Sequence, residues 1–346
     1  MLFHHIDTPD GWGIPGIHGN WAADELDGNV QGAVYLIESD GEALLFDSGN
    51  RVPGTDVSMG PTIIEKLDAA GVDLKYLFIS HSHYDHTGNA AEIKERYGAE
   101  VVAHPLEKPV IEDPLIVTRP ENAARFGLTP EEILGDFNLA PGESLGLSDP
   151  AVIERFWNFP VGVDREVSDG DTLRVGSLEL QVVGLAGHSP GQIGIFNAAT
   201  RSLYCADIVH FPTPLAPYPI GSVDEQLATL ERCKALEPEF LWEGHELSAY
   251  DEAAARRRLD QFTQVQLDTA DRLRVLLGRA DAPQTILELF PEVFPIKLPL
   301  NYPVSAGVGE RWAYGEACIQ AHLVRLIDRG EAVRVVEDGV TRFAAA

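Results

Sequence analysis

Apolar residues fall along this chain in two patterns, short runs and stripes of helical spacing, and their order sketches a fold. Runs at about 30–38 and 42–47 predict strands. Gly60–Ala70 predicts a helix, because Ile63, Ile64 and Leu67 recur at helical spacing. The run from Leu74 to Ile79 predicts a buried strand, followed by a polar loop, a helix at about 88–97 and a strand at 99–103. Strands are expected again at 172–175, 178–185, 192–196 and 201–206. Ser222–Leu236 reads as an amphipathic helix carrying Leu227, Leu230 and Leu236, and a last apolar stretch runs from Phe240 to Trp242.

Other stretches break this pattern. Residues 1–29, rich in Gly, Pro and Trp, predict an irregular packed arm; His4, His5, His18, Trp12 and Trp21 there are structural residues first and pocket residues second. Residues 104–162 read as an insertion with short helical pieces, such as 130–135 after the N-cap Thr129. Its Phe137, Phe156, Trp157 and Phe159 suit a lid or substrate wall, with an extended core as the plainer alternative. After Tyr250 the character changes: 251–278 predicts one charged helix, with Glu252–Arg256 and Asp268–Arg272 as i,i+4 ion pairs. Ala282–Phe290 and Glu310–Arg329 predict further helices, and strands at 331–336 and 340–343 flank the hairpin signal Asp338-Gly339. We therefore expect one unit over 1–250 and a smaller, mostly helical one over 251–346.

The loop after the 74–79 strand concentrates the chemistry. Residues 80–90 read Ser-His-Ser-His-Tyr-Asp-His-Thr-Gly-Asn-Ala. His81 and His83 on an extended tail point the same way, and Asp85 and His86 follow where the chain turns into a helix. A lone histidine is ordinarily a surface or hydrogen-bonded residue, but imidazole and carboxylate packed this closely suit Zn, Fe or Mn. Two adjacent metals are the natural reading. Further ligand types end other strands: His188 in Gly187-His188-Ser189-Pro190-Gly191, Asp207 in Tyr204-Cys205-Ala206-Asp207, and His245 in Trp242-Glu243-Gly244-His245. Strand ends are where α/β proteins gather their sites.

These motifs resemble the metallo-β-lactamase-fold hydrolases, in the His-x-His-x-Asp-His branch, over roughly residues 30–250. The resemblance implies an α+β fold, an αββα sandwich, and a dinuclear site. His81, His83 and His188 would hold one ion, and Asp85, His86 and His245 the other, with Asp207 bridging. The cofactors implied are two divalent ions, zinc first, with iron or manganese as alternatives. Asp47, in Leu45-Phe46-Asp47-Ser48-Gly49, matches an acidic residue that supports the ligand loop, or else simply begins a turn. The C-terminal helix, helix, hairpin order is similar to the winged-helix-like appendage of some relatives.

The resemblance also implies the reaction class. Two ions sharing a water or hydroxide supply a nucleophile at neutral pH and polarise a carbonyl, and Asp85 becomes the catalytic residue that orients the nucleophile or shuttles its proton. Similarity to the glyoxalase II and lactonase branches makes a small thioester or lactone the expected substrate. The glyoxalase II branch holds glutathione partly with C-terminal basic residues, for which no counterpart is placed here. The alternatives are a nuclease or phosphodiesterase, and a non-catalytic ligand-binding protein on the same fold. A β-lactamase role and flavin-linked redox chemistry are disfavoured.

Charge separates the alternatives. Over 346 residues, 54 acidic against 26 basic side chains give a net charge of −28. Such a chain repels polyanions unless its few cations cluster, so neither nucleic acid nor an anionic membrane is an expected partner. A small-molecule substrate is expected, and a homodimer is possible. Cys205, Cys233 and Cys318 form no C-x-x-C pair, which fits a reducing compartment. The first residues lack a basic-then-apolar leader, and no apolar run reaches the ~18–20 residues of a membrane span. The expected localisation is cytoplasmic.

Overall fold

The computed structural model describes residues 6–14, 32–51, 58–119, 154, 158–209, 221–245, 251–293, 313–337 and 340–346. The expectations for His4, His5, His18, Trp21, Phe137, Phe156, Trp157, the 130–135 helix and the Asp338-Gly339 turn lie outside them.

Two sheets form the centre. The first has seven strands in sequential order: β1 (Ile6–Thr8), β2 (Gly11–Ile14), β3 (Val34–Ser39), β4 (Glu42–Phe46), β5 (Asp73–Phe78), β6 (Glu100–Ala103) and β7 (Arg165–Glu166). Strands β1 to β4 pair antiparallel and β4 to β7 parallel. The second runs β12 (Phe240–Glu243), β11 (Ser202–Ala206), β10 (Ile193–Asn197), β9 (Leu178–Gly184), β8 (Thr172–Val175), with β11 and β12 parallel and the rest antiparallel.

The period of two along the central strands explains the layering. On β3, Tyr35 and Ile37 point between the sheets, where they meet Phe46, Phe78, Val182, Ile195, Tyr204 and Trp242. Val34 and Leu36 point the other way, onto Ile63 and Leu67 of α1 (Gly60–Ala70) and Ile93 of α3 (Ala90–Tyr97). The outer face of the second sheet, with Leu203 and Leu241, packs on Leu230 and Cys233 of α5 (Val223–Ala235) and on Leu259 and Phe262 of α6 (Glu252–Arg279). The architecture is thus helices, sheet, sheet, helices.

The expected irregular arm is corrected where it is described, since β1 and β2 form the edge of the first sheet. Its glycines do not mark a loop. A Cβ on Gly13 would sit 2.7 Å from the Tyr35 ring, so the residue lets β2 lie flat against β3. The buried Asp10 carboxylate between them accepts hydrogen bonds from Asn197, Thr200 and Tyr204 (2.8–2.9 Å), joining this edge to the second sheet. Trp12 packs against the helix-side core.

After the ligand loop, the helix expected at about 88–97 is α3, and a separate short turn of helix, α2 (Tyr84–Thr87), precedes it, with Gly88 and Asn89 between them. Within 104–162, the described part holds α4 (Lys108–Glu112) and a 3-10 turn, Pro114–Thr118. Towards the C-terminus, α6, α7 (Ile286–Val293), α8 (Ala313–Asp328) and the hairpin β13 (Ala332–Glu337) and β14 (Val340–Ala345) share a cluster of Leu273, Leu277, Ile286, Leu289, Ile319, Leu323, Leu326 and Phe343. The two expected ion pairs on α6 do not form. Glu252 reaches Arg201 at 3.3 Å and Arg272 donates to the Val293 carbonyl, while Arg256 pairs with Asp260 and Asp268 accepts from Gln264 on the same helix. An exposed i,i+4 pair worth only a few tenths of a kcal/mol does not outweigh these partners. Among the described residues, no helix is long and apolar enough to cross a membrane.

Candidate metal centre

Strands β4 and β5 run parallel, and so do β9, β11 and β12, so their C-terminal ends collect at one edge of each sheet. Asp47 follows β4; His81 and His83 follow β5; His188 follows β9; Asp207 follows β11; His245 follows β12. Asp85 and His86 sit in α2. Two groups result: His81, His83, His188 and Asp207 offer ligand atoms within 4.8 Å of one another, and so do Asp85, His86 and His245.

The nitrogens and oxygens converge closely. His81 Nε2 lies 2.8 Å from His83 Nδ1, which lies 3.1 Å from His188 Nε2. Asp207 stands between the groups, with Oδ2 2.9 Å from His245 Nε2 and 3.4 Å from His188 Nε2, and Oδ1 3.3 Å from His86 Nε2. Asp85 Oδ2 is 3.4 Å from His245 Nε2 and 3.6 Å from His86 Nε2. Two tetrahedral ligands about 2.0–2.1 Å from one zinc ion stand about 3.3 Å apart. The residues therefore fit a divalent cation.

Tautomers strengthen that fit. The Ser80 backbone N–H and hydroxyl both donate to Asp47 (2.8 Å each), and His86 Nδ1–H donates to the same carboxylate at 2.7 Å. With its proton committed to Asp47, Ser80 Oγ accepts from His81 Nδ1–H at 2.9 Å. His81 and His86 thus turn bare Nε2 lone pairs inward, and both His86 Nε2 and Asp207 Oδ1 are buried without a hydrogen-bond partner. Buried acceptors facing one another are costly unless a cation lies among them.

The electrostatics agree. Burial, then the neighbouring imidazoles His86 and His83, holds His81 well below the usual histidine range, and burial does the same for His188. Burial alone would lift the Asp207 carboxyl, but His245 and His86 outweigh it and hold it well below the usual carboxylate range. Burial opposes charge on His86 too, yet Asp207, Asp85 and Asp47 draw it well above the ordinary value. The carboxylates thus demand positive charge at this point, which a proton or a metal ion can supply.

Two buried carboxylates hold the ligand loops. Asp47 is one; burial pushes its carboxyl up, opposed by His86 and Ser80. The other, Glu107, is absent from the sequence reading. Only 1 % exposed, it accepts from Ser82 N–H (3.0 Å), Ser189 Oγ–H (2.8 Å) and Gly191 N–H (2.7 Å). Ser82 lies between His81 and His83, and Ser189 follows His188, so one side chain ties together the three-histidine group. A glutamate just before a short helix inside an insertion gives no sequence signal for that role.

The Metallo-beta-lactamase superfamily profile matches residues 27–245. The chain is 24% identical over 147 residues to a hydroxyacylglutathione hydrolase of Haemophilus influenzae, covering 42% of this chain and 55% of that enzyme's length. It is 23% identical over 253 residues to the hydroxyacylglutathione hydrolase of a Bradyrhizobium strain, covering 70% and 79% respectively. In fold it is similar to a metallo-beta-lactamase family protein of Thermus thermophilus, with a TM-score of 0.66, 22% identity, and coverage of 93% of this chain and 96% of that one. With the profile covering well over half of its length, this chain belongs to the metallo-beta-lactamase superfamily.

Proposed function

We propose that the protein hydrolyses a small thioester or lactone with two divalent ions, zinc in the first instance. His81, His83 and His188 would hold one ion and Asp85, His86 and His245 the other, with Asp207 shared. Superfamily membership itself implies divalent-metal binding and a hydrolase. The observation that carries the reading is the convergence of the His86, His188 and His245 Nε2 atoms on the buried Asp207 carboxylate, whose Oδ1 has no hydrogen-bond partner. When bound, the ions supply Lewis acidity, acidifying water and polarising a carbonyl.

The chain's own residues do the rest. Asp47 and Glu107 fix the ligand rings, so no reorganisation is needed as charge develops on the substrate. Asp85 turns Oδ2 towards His245 and His86, which leaves Oδ1 to take the proton of the attacking water and return it to the leaving group. Ser189 spends its hydroxyl on Glu107 and is not the nucleophile. The thioester assignment rests on relatives named hydroxyacylglutathione hydrolases, an acylglutathione being a thioester. Protein loaded with zinc or manganese, assayed against a panel of thioesters, lactones and phosphodiesters, tests it. Turnover of the first two classes supports the proposal; turnover of phosphodiesters alone overturns it.

A further inference from the structure

A line of buried polar side chains runs from the C-terminal helices to the Asp207 loop. His322 on α8, Gln266 on α6 and Gln226 on α5 are each fully buried. Burial holds the His322 imidazole down at about 3, so it is neutral. Its Nε2 faces Gln266 Oε1 at 2.8 Å, and since that oxygen can only accept, Nε2 carries the hydrogen. Gln266 Nε2 in turn donates to Gln226 Oε1, and Gln226 Nε2 donates to the Ile208 carbonyl at 3.2 Å. Every donor in the line points towards Ile208, the residue after Asp207, and aligned hydrogen bonds polarise one another.

Apolar side chains would fill these helix contacts without any desolvation cost, so helix packing alone does not account for the line. Its end point does. The Asp207 turn is strained: Ala206 holds φ at +45°, a left-handed value uncommon for a residue with a side chain. The same Gln226 also backs the other loop. A Cβ on Gly187 (φ +142°) would collide with the Gln226 backbone, Gly187 accepts from Ser222 N–H at 2.9 Å, and Thr229 Oγ donates to the Ala186 carbonyl at 2.7 Å. Helix α8 is fixed in turn to α5 by Arg325 and Arg329, both 2.8 Å from Asp224 Oδ1.

We infer that Gln226, Gln266 and His322 are positioning residues: the C-terminal helices hold the strained Asp207 turn, and with it metal affinity, through this hydrogen-bonded line. The inference rests on the proposed role of Asp207 as a ligand. It gives the C-terminal segment a part in the metal centre although, among its described residues, none lies in the ligand set.

The test is zinc affinity of the full chain by chelator competition, with the Co(II) absorption spectrum as a second readout. Gln226→Met is expected to weaken binding on the order of tenfold, Gln266→Met by about threefold, each with a changed Co(II) spectrum. His322→Leu should behave as Gln266→Met does, while His322→Gln, which keeps a donor, should stay near wild type. Leu273→Ala, in the apolar cluster of the same helix, controls for stability: it should lower the denaturation midpoint and leave metal affinity unchanged. Folded Gln226 and Gln266 variants with wild-type affinity and spectrum would overturn the inference, and so would a Leu273→Ala loss as large as theirs. Wild-type protein that binds no zinc at all would instead sink the metal-site reading beneath it.

Discussion

Replacing Glu107 is the sharpest probe of how the site is held. Its carboxylate accepts three hydrogen bonds at 2.7–3.0 Å in a fully enclosed position. Hydrogen bonds to a charged group contribute about 1.5–3 kcal/mol net, and each buried donor left unsatisfied costs about 1–3 kcal/mol. Glu107→Ala strands the Ser82 and Gly191 amides and the Ser189 hydroxyl together. The three share one partner and are not additive, so a global loss of about 3–5 kcal/mol is expected, large enough to compromise folding itself. Glu107→Gln is the informative change. Its amide oxygen can still accept from Ser189 and Gly191, but its NH2 faces the Ser82 N–H, so one bond is lost, about 1.5–3 kcal/mol.

That loss falls unevenly on the centre. Ser82 lies between His81 and His83, so their imidazoles should lose register, while His86, held by Asp47, should keep its place. Metal titration of Glu107→Gln should therefore show one site weakened by about 10–100-fold and the other little changed. The assay is stepwise zinc removal by a competing chelator, with bound metal measured at each step. Equal weakening of both sites in a folded variant would refute the division of labour. Affinities within about twofold of wild type at both sites would refute the positioning argument altogether.

Asp47→Asn should produce the converse pattern, loosening the ion nearer His86 first, measured by the same titration. Asp85→Asn should lower kcat far more than it raises KM, because a proton handled in the transition state shows in kcat; steady-state kinetics with normal turnover and both metals retained would leave Asp85 a merely structural role. His322 makes stability depend on pH: its folded pKa of about 3 lies below the ordinary value near 6.5, so between these values the unfolded chain binds a proton that the folded chain does not. Stability should be undiminished above pH ~6.5 and fall by about 2 kcal/mol by pH 5, with Arg325, Arg274 and Asp224 the charges facing the ring; denaturant melts should show a shallower fall for His322→Gln. The chain as a whole should bind neither duplex nor single-stranded nucleic acid at physiological salt, given its charge of −28; a salt-steep micromolar affinity would contradict this.

The central strands were legible because burial on both faces writes itself as apolar runs, as in Leu74–Ile79, and because strand ends carry the site. The His-x-His-x-Asp-His loop was legible for a local reason: the ligands lie within six positions. What escaped detection depends on tertiary neighbours. Gly11 and Gly13 read as loop residues, yet Gly13 is there because Tyr35 leaves no room for a side chain. Glu252 and Arg272 read as helix-surface partners of residues four positions away, yet each finds a better partner across space. Asp47 could be read equally as a turn residue, and it is both, with a positive φ of 61° and a carboxylate that reaches back to Ser80 and His86. Gln226 sits beside Leu227 and Leu230, whose helical spacing was plain, but no pattern in one helix shows that its amide meets an amide of another.

Positive φ at Asp47 and Ala206 suggests how the two sheets divide the work. Each residue stands where a strand, β4 or β11, runs out beneath the centre, one from each sheet. A side chain at positive φ costs on the order of 1–3 kcal/mol, and such strain persists only when its surroundings over-determine it. At Asp47 the surroundings are close by: three hydrogen bonds to its carboxylate from Ser80 and His86, and its own N–H donating to the Phe78 carbonyl at the end of β5. At Ala206 they come from further away, through Ile208 and the Gln226 amide, and from Gly244, where any Cβ would collide with Asp207 Oδ1. Gly244→Ala should therefore displace the Asp207 carboxylate directly and weaken metal binding more than Gln226→Met does. Chelator competition would show the order, and the reverse order would mean that the amide line, rather than the close approach of β12, chiefly holds Asp207 in place.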